Sequence, residues 1–185
     1  MPSLSASKNA AWFTLYNFVS FQIAWFMAIH WKEQSLLPLI AIILLHFALS
    51  KHRRRDWLTF ALITIVGSFV DMTATYANLF AFESGQLLPV WLILLWANFS
   101  LTFHYSMRWL MRLPTLFQSL VGGVFGTASY FAAFKFGAVD YPMPMSFTLF
   151  FMIVIWSINL PVFVLIAEAI QGKVNDAKQK NITCK

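Results

Sequence analysis

Two ionisable side chains inside long apolar runs are the residues of this chain best suited to do chemistry. Asp71 lies in ITIVGSFVDMTATYANLF, and His104 lies in LLWANFSLTFHYSM. An ionisable side chain at the centre of a membrane helix costs about 2.5 to 3.5 kcal/mol on insertion scales, so it needs a partner, a water-filled cavity or a function. A carboxyl and an imidazole can act together as general acid and base. We therefore expect Asp71 and His104 to be catalytic residues.

A stripe of polar side chains surrounds Asp71. Ser68, Asp71, Thr75 and Asn78 are spaced by three, four and three residues, which places them on one face of a helix. A polar stripe in a membrane helix must point into the bundle. It predicts either a binding surface that includes Thr75 and Asn78, or interhelical hydrogen bonds without chemistry, and both interpretations stay open.

Four more polar residues are candidate binding residues. Arg108 follows His104 by four residues, so on a helix it shares the same face and can hold a phosphate, although it is also typical of a positive anchor. His46 enters the second apolar run from the same direction as His104. Asn98 belongs to the intramembrane polar set, and Tyr130 is expected to line an external mouth.

The composition indicates what positions these residues. The 185 residues are 59% hydrophobic and 11% charged, which is too apolar for a soluble domain. Since a transmembrane helix takes about 20 apolar residues, the chain has room for at most six or seven such helices connected by short loops. We predict one integral membrane domain over residues 1–185, an all-α polytopic bundle of six transmembrane helices. The predicted spans lie near 11–30, 36–50, 57–82, 88–107, 115–136 and 146–170.

The basic residues predict the orientation of these spans. Eleven of the thirteen Lys and Arg residues fall on one side, and only Lys32 and Lys135 fall on the other. Positive residues stay in the cytoplasm, so both termini are expected there. The cluster KHRRRD at 51–56 is interpreted mainly as a topology signal, although it could also attract anionic lipid.

Several features bear on packing and on other classes of site. The prolines at LLPLI, LLPVW and YPMPMSF recur about every 50 residues, which indicates either repeated helical hairpins or three ordinary helix starts. Trp25, Trp96 and Trp156 are interpreted as helix packing, as are the small residues of SLVGGVFGTASYFAAF. Metal-ligand spacings, Walker loops, dinucleotide glycine patterns and nucleic-acid motifs are absent from the sequence, so we expect no metal, no cofactor and no nucleic acid.

Five stretches resemble a known family of bacterial inner-membrane proteins, the domain of unknown function 2878 family. They are NFVSFQIAWF, LLHFALS, the Asp71 helix, WANFSLTFHYSMRWL and GTASYFAAFKFGAVDYP, and the resemblance covers roughly residues 12–165. Its most specific part is the H-x-S-x-x-W arrangement that begins at His104. The family tends to read Asn-His-Ser there, whereas this chain has Phe103 before the histidine and Tyr105 after it. The resemblance implies a small multi-pass protein of the inner membrane of Gram-negative bacteria, encoded near enzymes that modify membrane fatty acids.

Three functions follow as hypotheses. In the first, a polar interior centred on Asp71 and His104, with His46 and Arg108 nearby, handles or modifies a membrane lipid or another amphiphile. In the second, Asp71 carries a proton or cation in a small transporter subunit. In the third, the chain is a scaffold for a partner membrane enzyme. Membrane lipids are the expected partners, and another membrane protein is the second candidate.

Overall fold

The chain folds into an almost entirely helical bundle. The computed structural model describes residues 4–83 and 85–183, and within them lies one isolated β-bridge, between Ala81 and Asp140. The helices are α1 (Leu4–Trp31), α2 (Leu36–Leu49), α3 (Arg53–Tyr76), α4 (Val90–Ser100), α5 (Thr115–Val121), α6 (Thr127–Lys135) and α7 (Met145–Thr183). The all-α prediction is confirmed for the part of the chain that the structure describes.

The helix that carries Asp71 is shorter than predicted, because α3 ends at Tyr76 and not near residue 82. Asn78 has a φ of +57°, a left-handed conformation that asparagine tolerates better than most residues. The Asn78 amide donates to the Thr75 carbonyl at 2.9 Å, and the Leu79 amide donates to the Ala74 carbonyl at 3.0 Å. These two bonds form a Schellman motif that closes the helix. Asn78 is therefore not part of the helical stripe around Asp71.

The prediction that α4 runs to residue 107 is wrong, since this helix ends at Ser100. The Ser100 hydroxyl donates to the Ala97 carbonyl, and the Thr102 hydroxyl donates to the Phe99 carbonyl, both at 2.6 Å. Such side-chain bonds offer the backbone an alternative to continuing the helix. Residues 101–107 form consecutive turns, followed by a 3₁₀ helix over Arg108–Arg112. His104 and Arg108 consequently do not share an α-helical face.

The fifth apolar run forms one helical stretch with a π-helical turn, Gly122–Gly126, between α5 and α6. The glycines of this turn allow α7 to approach closely. A Cβ at Gly126 would lie 2.1 Å from Cδ2 of Trp156, and one at Gly122 would lie 2.3 Å from the Trp156 carbonyl oxygen. The predicted close packing of this small-residue segment is confirmed.

The helices pair as hairpins, and a residue with a positive φ lies just after three of them. The residue that follows or closes α1, α3 and α6 has a positive φ in each case: 45° at Lys32, 57° at Asn78 and 70° at Gly137. The returning helices start beside Pro38, Pro89 and Pro144. This common geometry favours the hairpin-repeat interpretation of the prolines. We call this end of the bundle, which carries the Ala81 and Asp140 bridge, the bridge end.

The bridge end is also held by side chains. Lys32 and Glu83 form an ion pair at 3.0 Å. Tyr141 stacks on Phe134 with ring centroids 4.4 Å apart. Burial raises the pKa of Tyr141 to about 12, so its phenol keeps its proton at physiological pH.

The opposite end, which carries Arg53, Arg55 and Arg108, is called the arginine end. Between the two ends α1 packs against α2 and α4, and α3 packs against α4 and α7. The α5–α6 stretch packs against α7 on the far side of the bundle. Because each helix contacts antiparallel neighbours, buried polar residues from distant parts of the sequence can meet in the interior.

The exterior between the two ends is apolar. Large hydrophobic side chains such as Leu37, Phe125 and Leu116 are at least two-thirds exposed. Three stretches of the described chain are long and apolar enough to cross a membrane: Ala11–Leu49, Arg53–Tyr76 and Met145–Ala177. The first contains both α1 and α2, while α4 is apolar but has only 11 residues. Helix length and hydropathy therefore support a membrane protein with three candidate spans, and they do not establish six.

Candidate functional site

Helix α3 carries two buried carboxyl groups at different levels of the bundle. Asp56 lies at the arginine end and is 1% exposed, and Asp71 lies towards the bridge end and is 3% exposed. Fifteen residues of helix separate them, which is about 22 Å along the axis. Each is the centre of a separate hydrogen-bonded cluster.

Asp71 receives hydrogen bonds from two aromatic side chains. The Trp96 indole Nε1 donates to Oδ2 at 2.6 Å. The Tyr130 hydroxyl lies 2.6 Å from both Oδ1 and Oδ2, so its single proton is directed at the carboxyl group as a whole. These three residues from α3, α4 and α6 form the Asp71 cluster. The sequence-based expectation that Asp71 points into the bundle is confirmed.

A glycine on α3 makes this arrangement possible. Gly67 lies one helical turn before Asp71, and a Cβ there would lie 2.3 Å from Cε3 of Trp96. The indole therefore lies directly on the α3 backbone, where its Nε1 reaches the carboxylate. Trp96 also stacks on Trp156 of α7, with centroids 5.6 Å apart and ring planes 12° from parallel. Trp96 thus does more than fill space, because it both packs the bundle and fixes the position of Asp71.

A cavity of about 500 Å³ adjoins the Asp71 cluster. Helix α1 forms one wall and the α5–α6 stretch forms the opposite wall, while α4 and α7 lie behind. Trp96 and Tyr130 belong to the lining. Phe26 on α1 and Phe125 on the opposite wall also line the cavity, although 51% and 69% of their surface is exposed. The exposed surfaces of these two rings show that the cavity reaches the surface of the bundle.

The cavity lining is apolar except for a band at the level of Tyr130. The Trp25 indole donates to the Ser129 hydroxyl at 2.7 Å, and this bond spans the gap between α1 and α6. Gln22 lies one helical turn from Trp25 and also lines the cavity. Aromatic and aliphatic side chains line both ends of the space. The cavity is thus shaped for an apolar molecule with a small polar group.

The second cluster surrounds Asp56 at the arginine end. Arg55 donates to Asp56 Oδ1 from Nε at 3.0 Å and from Nη2 at 2.9 Å. The hydroxyls of Ser50 and Tyr105 both donate to Oδ2, the second at 2.7 Å. His46 Nε2 lies 3.4 Å from the same oxygen, too far for a strong hydrogen bond. We call these five residues the Asp56 cluster.

The Asp56 cluster ties three parts of the chain together. Arg55 Nη1 donates to Oε1 of Gln171 on α7 at 3.1 Å, and its guanidinium lies 5.0 Å from the centroid of the Tyr105 ring. Arg55 and Asp56 are both less than a tenth exposed. A buried ion pair needs such additional hydrogen bonds to offset its desolvation. This arrangement suits a structural joint between the α2–α3 turn, the 101–107 turns and α7.

His104 and Asp71 do not come together. The His104 Nε2 lies 2.8 Å from the Thr59 hydroxyl, which itself donates to the Arg55 carbonyl at 3.1 Å. Thr59 precedes Asp71 by twelve residues on α3, or about 18 Å along the axis. His104 therefore lies beside the Asp56 cluster, and it cannot act with Asp71 as an acid–base pair in this arrangement.

The other predicted binding residues divide in the same way. His46 joins the Asp56 cluster, and Tyr130 joins Asp71 and the cavity. Asn98 lies in neither cluster: it donates to the carbonyl of Leu94 within α4 at 2.9 Å and to that of Leu39 on α2 at 3.4 Å, so only the second bond joins two helices.

Thr75, Asn78 and Arg108 also stay outside both clusters. The Thr75 hydroxyl oxygen is buried and has no hydrogen-bond partner among the described residues. Asn78 and Arg108 are exposed at the bridge end and the arginine end, respectively. The stripe around Asp71 therefore contributes only Asp71 itself to the cluster.

A protein-family model matches most of the residues described above. It matches residues 14–162 and is described as Protein of unknown function (DUF2878). The chain belongs to the DUF2878 family. No curated protein and no solved structure matches the chain. In this DUF2878 protein, the range that the family model matches contains every residue of the Asp71 cluster and of the Asp56 cluster. Gln171, which bonds to Arg55, lies beyond that range.

The residues that complete the two clusters were not predicted from the sequence. Trp96 was expected to pack, the basic run around Arg55 and Asp56 was expected to set the topology, and no role was predicted for Ser50 or Tyr105. One signal was present: Asp56 is an acid that directly follows three arginines at a helix start, where a carboxylate is favoured by the helix dipole.

Proposed function

We propose that this DUF2878 protein is a multi-pass protein of a bacterial inner membrane whose lateral cavity binds the apolar chain of a membrane lipid or another amphiphile. The main support for this proposal is the cavity between α1 and the α5–α6 stretch. Its volume of about 500 Å³ is within the range of about 300 to 1,000 Å³ that ligand pockets usually have. We infer from the exposed rings of Phe26 and Phe125 that its mouth lies between these two walls, where a lipid chain would enter without crossing water.

The separation of the two clusters argues against the transporter hypothesis. A proton or cation path through the bundle needs polar groups between Asp71 and the arginine end. The buried residues of α3 between the two carboxyl groups are Thr59, Ile63 and Gly67, and the Trp96 ring covers Gly67. The buried α3 face between the two carboxyl groups is therefore interrupted by apolar packing. A pure scaffold, in turn, gives no reason for a large cavity beside a buried carboxyl group.

Filling the cavity tests the proposal. We expect Ala133→Phe to reduce the lipid retained by the purified full-length protein about tenfold, because the phenyl ring takes up space that the lipid needs. Placing both in the cavity would overpack it at a cost of about 1–3 kcal/mol, and 1.4 kcal/mol is tenfold in affinity. Ala133 is buried and lines the cavity. The measurement is lipid extraction and mass spectrometry after purification in a neutral detergent.

Leu120→Phe is the matched control for this substitution. Leu120 lies on the same helical stretch, is 56% exposed and is not part of the cavity lining. We expect it to retain as much lipid as the unsubstituted protein. Equal lipid contents in all three proteins, with equal melting temperatures, would refute lipid binding in the cavity. A dimer that dissociates only in Ala133→Phe would instead identify a second copy as the occupant.

The proposal includes six crossings with both termini in the cytoplasm. The alternation of α1, α2, α3, α4, the α5–α6 stretch and α7 supports it, as does the concentration of basic residues at the arginine end. Cys184 is the one cysteine of the sequence, so Cys184→Ser gives a background free of thiols.

Single cysteines in that background test the topology. We expect Glu83→Cys and Lys135→Cys to react with a membrane-impermeant maleimide in intact cells, because both positions lie at the bridge end. Lys51→Cys and Arg112→Cys should react only after the cells are opened. The topology would be overturned if the Lys51 and Arg112 variants reacted in intact cells and the Glu83 and Lys135 variants did not. It would also be overturned if all four variants reacted under the same condition.

A further inference from the structure

The hydrogen bonding of Tyr130 limits what the cavity can bind. Its hydroxyl has one proton and donates it in a hydrogen bond to Asp71, whose two carboxyl oxygens each lie 2.6 Å from the phenolic oxygen. A phenolic oxygen also has lone pairs that accept hydrogen bonds. What Tyr130 can still offer a molecule in the cavity is therefore an acceptor, and its bond to the carboxylate strengthens that acceptor.

The surroundings of Asp71 add a second restriction. The carboxyl group is 3% exposed, and its bonds come from two neutral donors, Trp96 and Tyr130. An anionic head group beside Tyr130 would be desolvated next to a buried carboxyl group, and none of the described residues that line the cavity is basic and could balance its charge. The basic residues of the Asp56 cluster lie about 22 Å away along α3, too far to provide that balance.

The remaining polar atoms of the band are also neutral. Gln22 is an amide, and the Ser129 hydroxyl accepts the Trp25 indole proton while its own proton is still free to be donated. These side chains, together with Tyr130, suit a small group that both donates and accepts a hydrogen bond. A hydroxyl group has that property, whereas a carboxylate only accepts.

We propose that the cavity selects an uncharged amphiphile with a free hydroxyl group, such as a long-chain alcohol or a diacylglycerol, and that Tyr130, positioned by Asp71, accepts the hydrogen bond from this hydroxyl. The inference rests on the proposed lipid-binding function and specifies its ligand class. Tyr130 is the binding residue. Asp71 is a positioning residue that also excludes anions.

A competition between two probes of equal chain length tests the inference. The full-length protein in neutral detergent is incubated with equal concentrations of hexadecanol and hexadecanoate at a pH where the acid is ionised, then purified again, and the retained probes are quantified. We expect at least about tenfold more hexadecanol than hexadecanoate. Tyr130→Phe keeps the ring and removes the hydroxyl, so it should reduce hexadecanol retention about three- to tenfold, the usual effect of one hydrogen bond.

Two further variants keep the test independent of folding. Tyr141→Phe removes a hydroxyl from a tyrosine that does not line the cavity, and we expect an unchanged probe ratio. Asp71→Asn replaces the acid by a neutral amide and leaves a carbonyl that still accepts from Tyr130, so hexadecanoate retention should rise towards that of hexadecanol. A change of overall stability alone would not reverse the preference between the probes in this way.

The outcomes separate this inference from the function on which it rests. Equal retention of both probes by the unsubstituted protein, or an unchanged ratio in Tyr130→Phe and Asp71→Asn, would overturn the hydroxyl selectivity. If Ala133→Phe still lowered the retention of both probes, lipid binding itself would stand. Retention of neither probe by the unsubstituted protein would overturn both.

Discussion

Asp56→Ala is expected to lower the free energy of unfolding by about 3 to 5 kcal/mol, the usual cost of removing one partner of a buried ion pair. Arg55 is only 8% exposed, so the substitution leaves its guanidinium buried without its carboxylate. The hydroxyls of Ser50 and Tyr105 lose their acceptor in the same step. The measurement is the loss of folded protein on heating or on titration with a denaturing detergent, followed by tryptophan fluorescence.

Two controls assign the effect to the buried charge. Arg54→Ala changes the neighbouring, exposed arginine and is expected to alter stability by less than about 0.5 kcal/mol. Replacing both partners, as Arg55→Met with Asp56→Asn, removes the uncompensated charge and should recover much of the lost stability. An Asp56→Ala protein that melts like the Arg54→Ala protein would show that the Asp56 cluster is not a structural joint.

Gly67→Ala is expected to be the next most damaging single change, because its Cβ would overlap the Trp96 ring, 2.3 Å from Cε3. Overpacking of this kind costs about 1–3 kcal/mol. The displaced indole also loses its hydrogen bond to Asp71, and a bond to a charged group contributes about 1.5–3 kcal/mol. We therefore expect a clear fall in melting temperature together with a loss of lipid retention.

Gly172→Ala is the matched control, because it adds the same methyl group on α7 where the new Cβ would meet no atom within 4 Å apart from its chain neighbours and its own helix backbone. Alanine is better than glycine in a helix by about 0.5–1 kcal/mol, so this variant should be as stable as the original or slightly more stable. Equal melting temperatures for Gly67→Ala and Gly172→Ala would mean that Trp96 does not lie on the α3 backbone.

The sequence predicted the features that follow from hydrophobicity. The apolar runs gave the order of the helices, and the cost of a carboxyl group in lipid correctly placed Asp71 inside the bundle. The helix ends were less predictable, since they depend on local bonds. The left-handed turn at Asn78 closes α3, and the hydroxyl of Thr102 bonds to a backbone carbonyl where α4 ends.

The partners of the buried groups were not predictable from sequence patterns, because helix adjacency is a tertiary property. Trp96 and Tyr130 lie 25 and 59 residues from Asp71, and their types are equally typical of packing. Asp56 was hidden in a basic run whose topological role is the common one. Asp71 and His104 suggested one acid–base site only because their depths in the bundle were unknown.

The most direct test of the lipid-binding proposal is the electron density of the cavity in crystals grown from a lipid mesophase. We expect a continuous elongated density that enters between Phe26 and Phe125 and passes Tyr130 with a polar atom within hydrogen-bond distance of its hydroxyl. A cavity that contains only water, or α1 packed directly against α6 with no cavity left, would contradict the proposal.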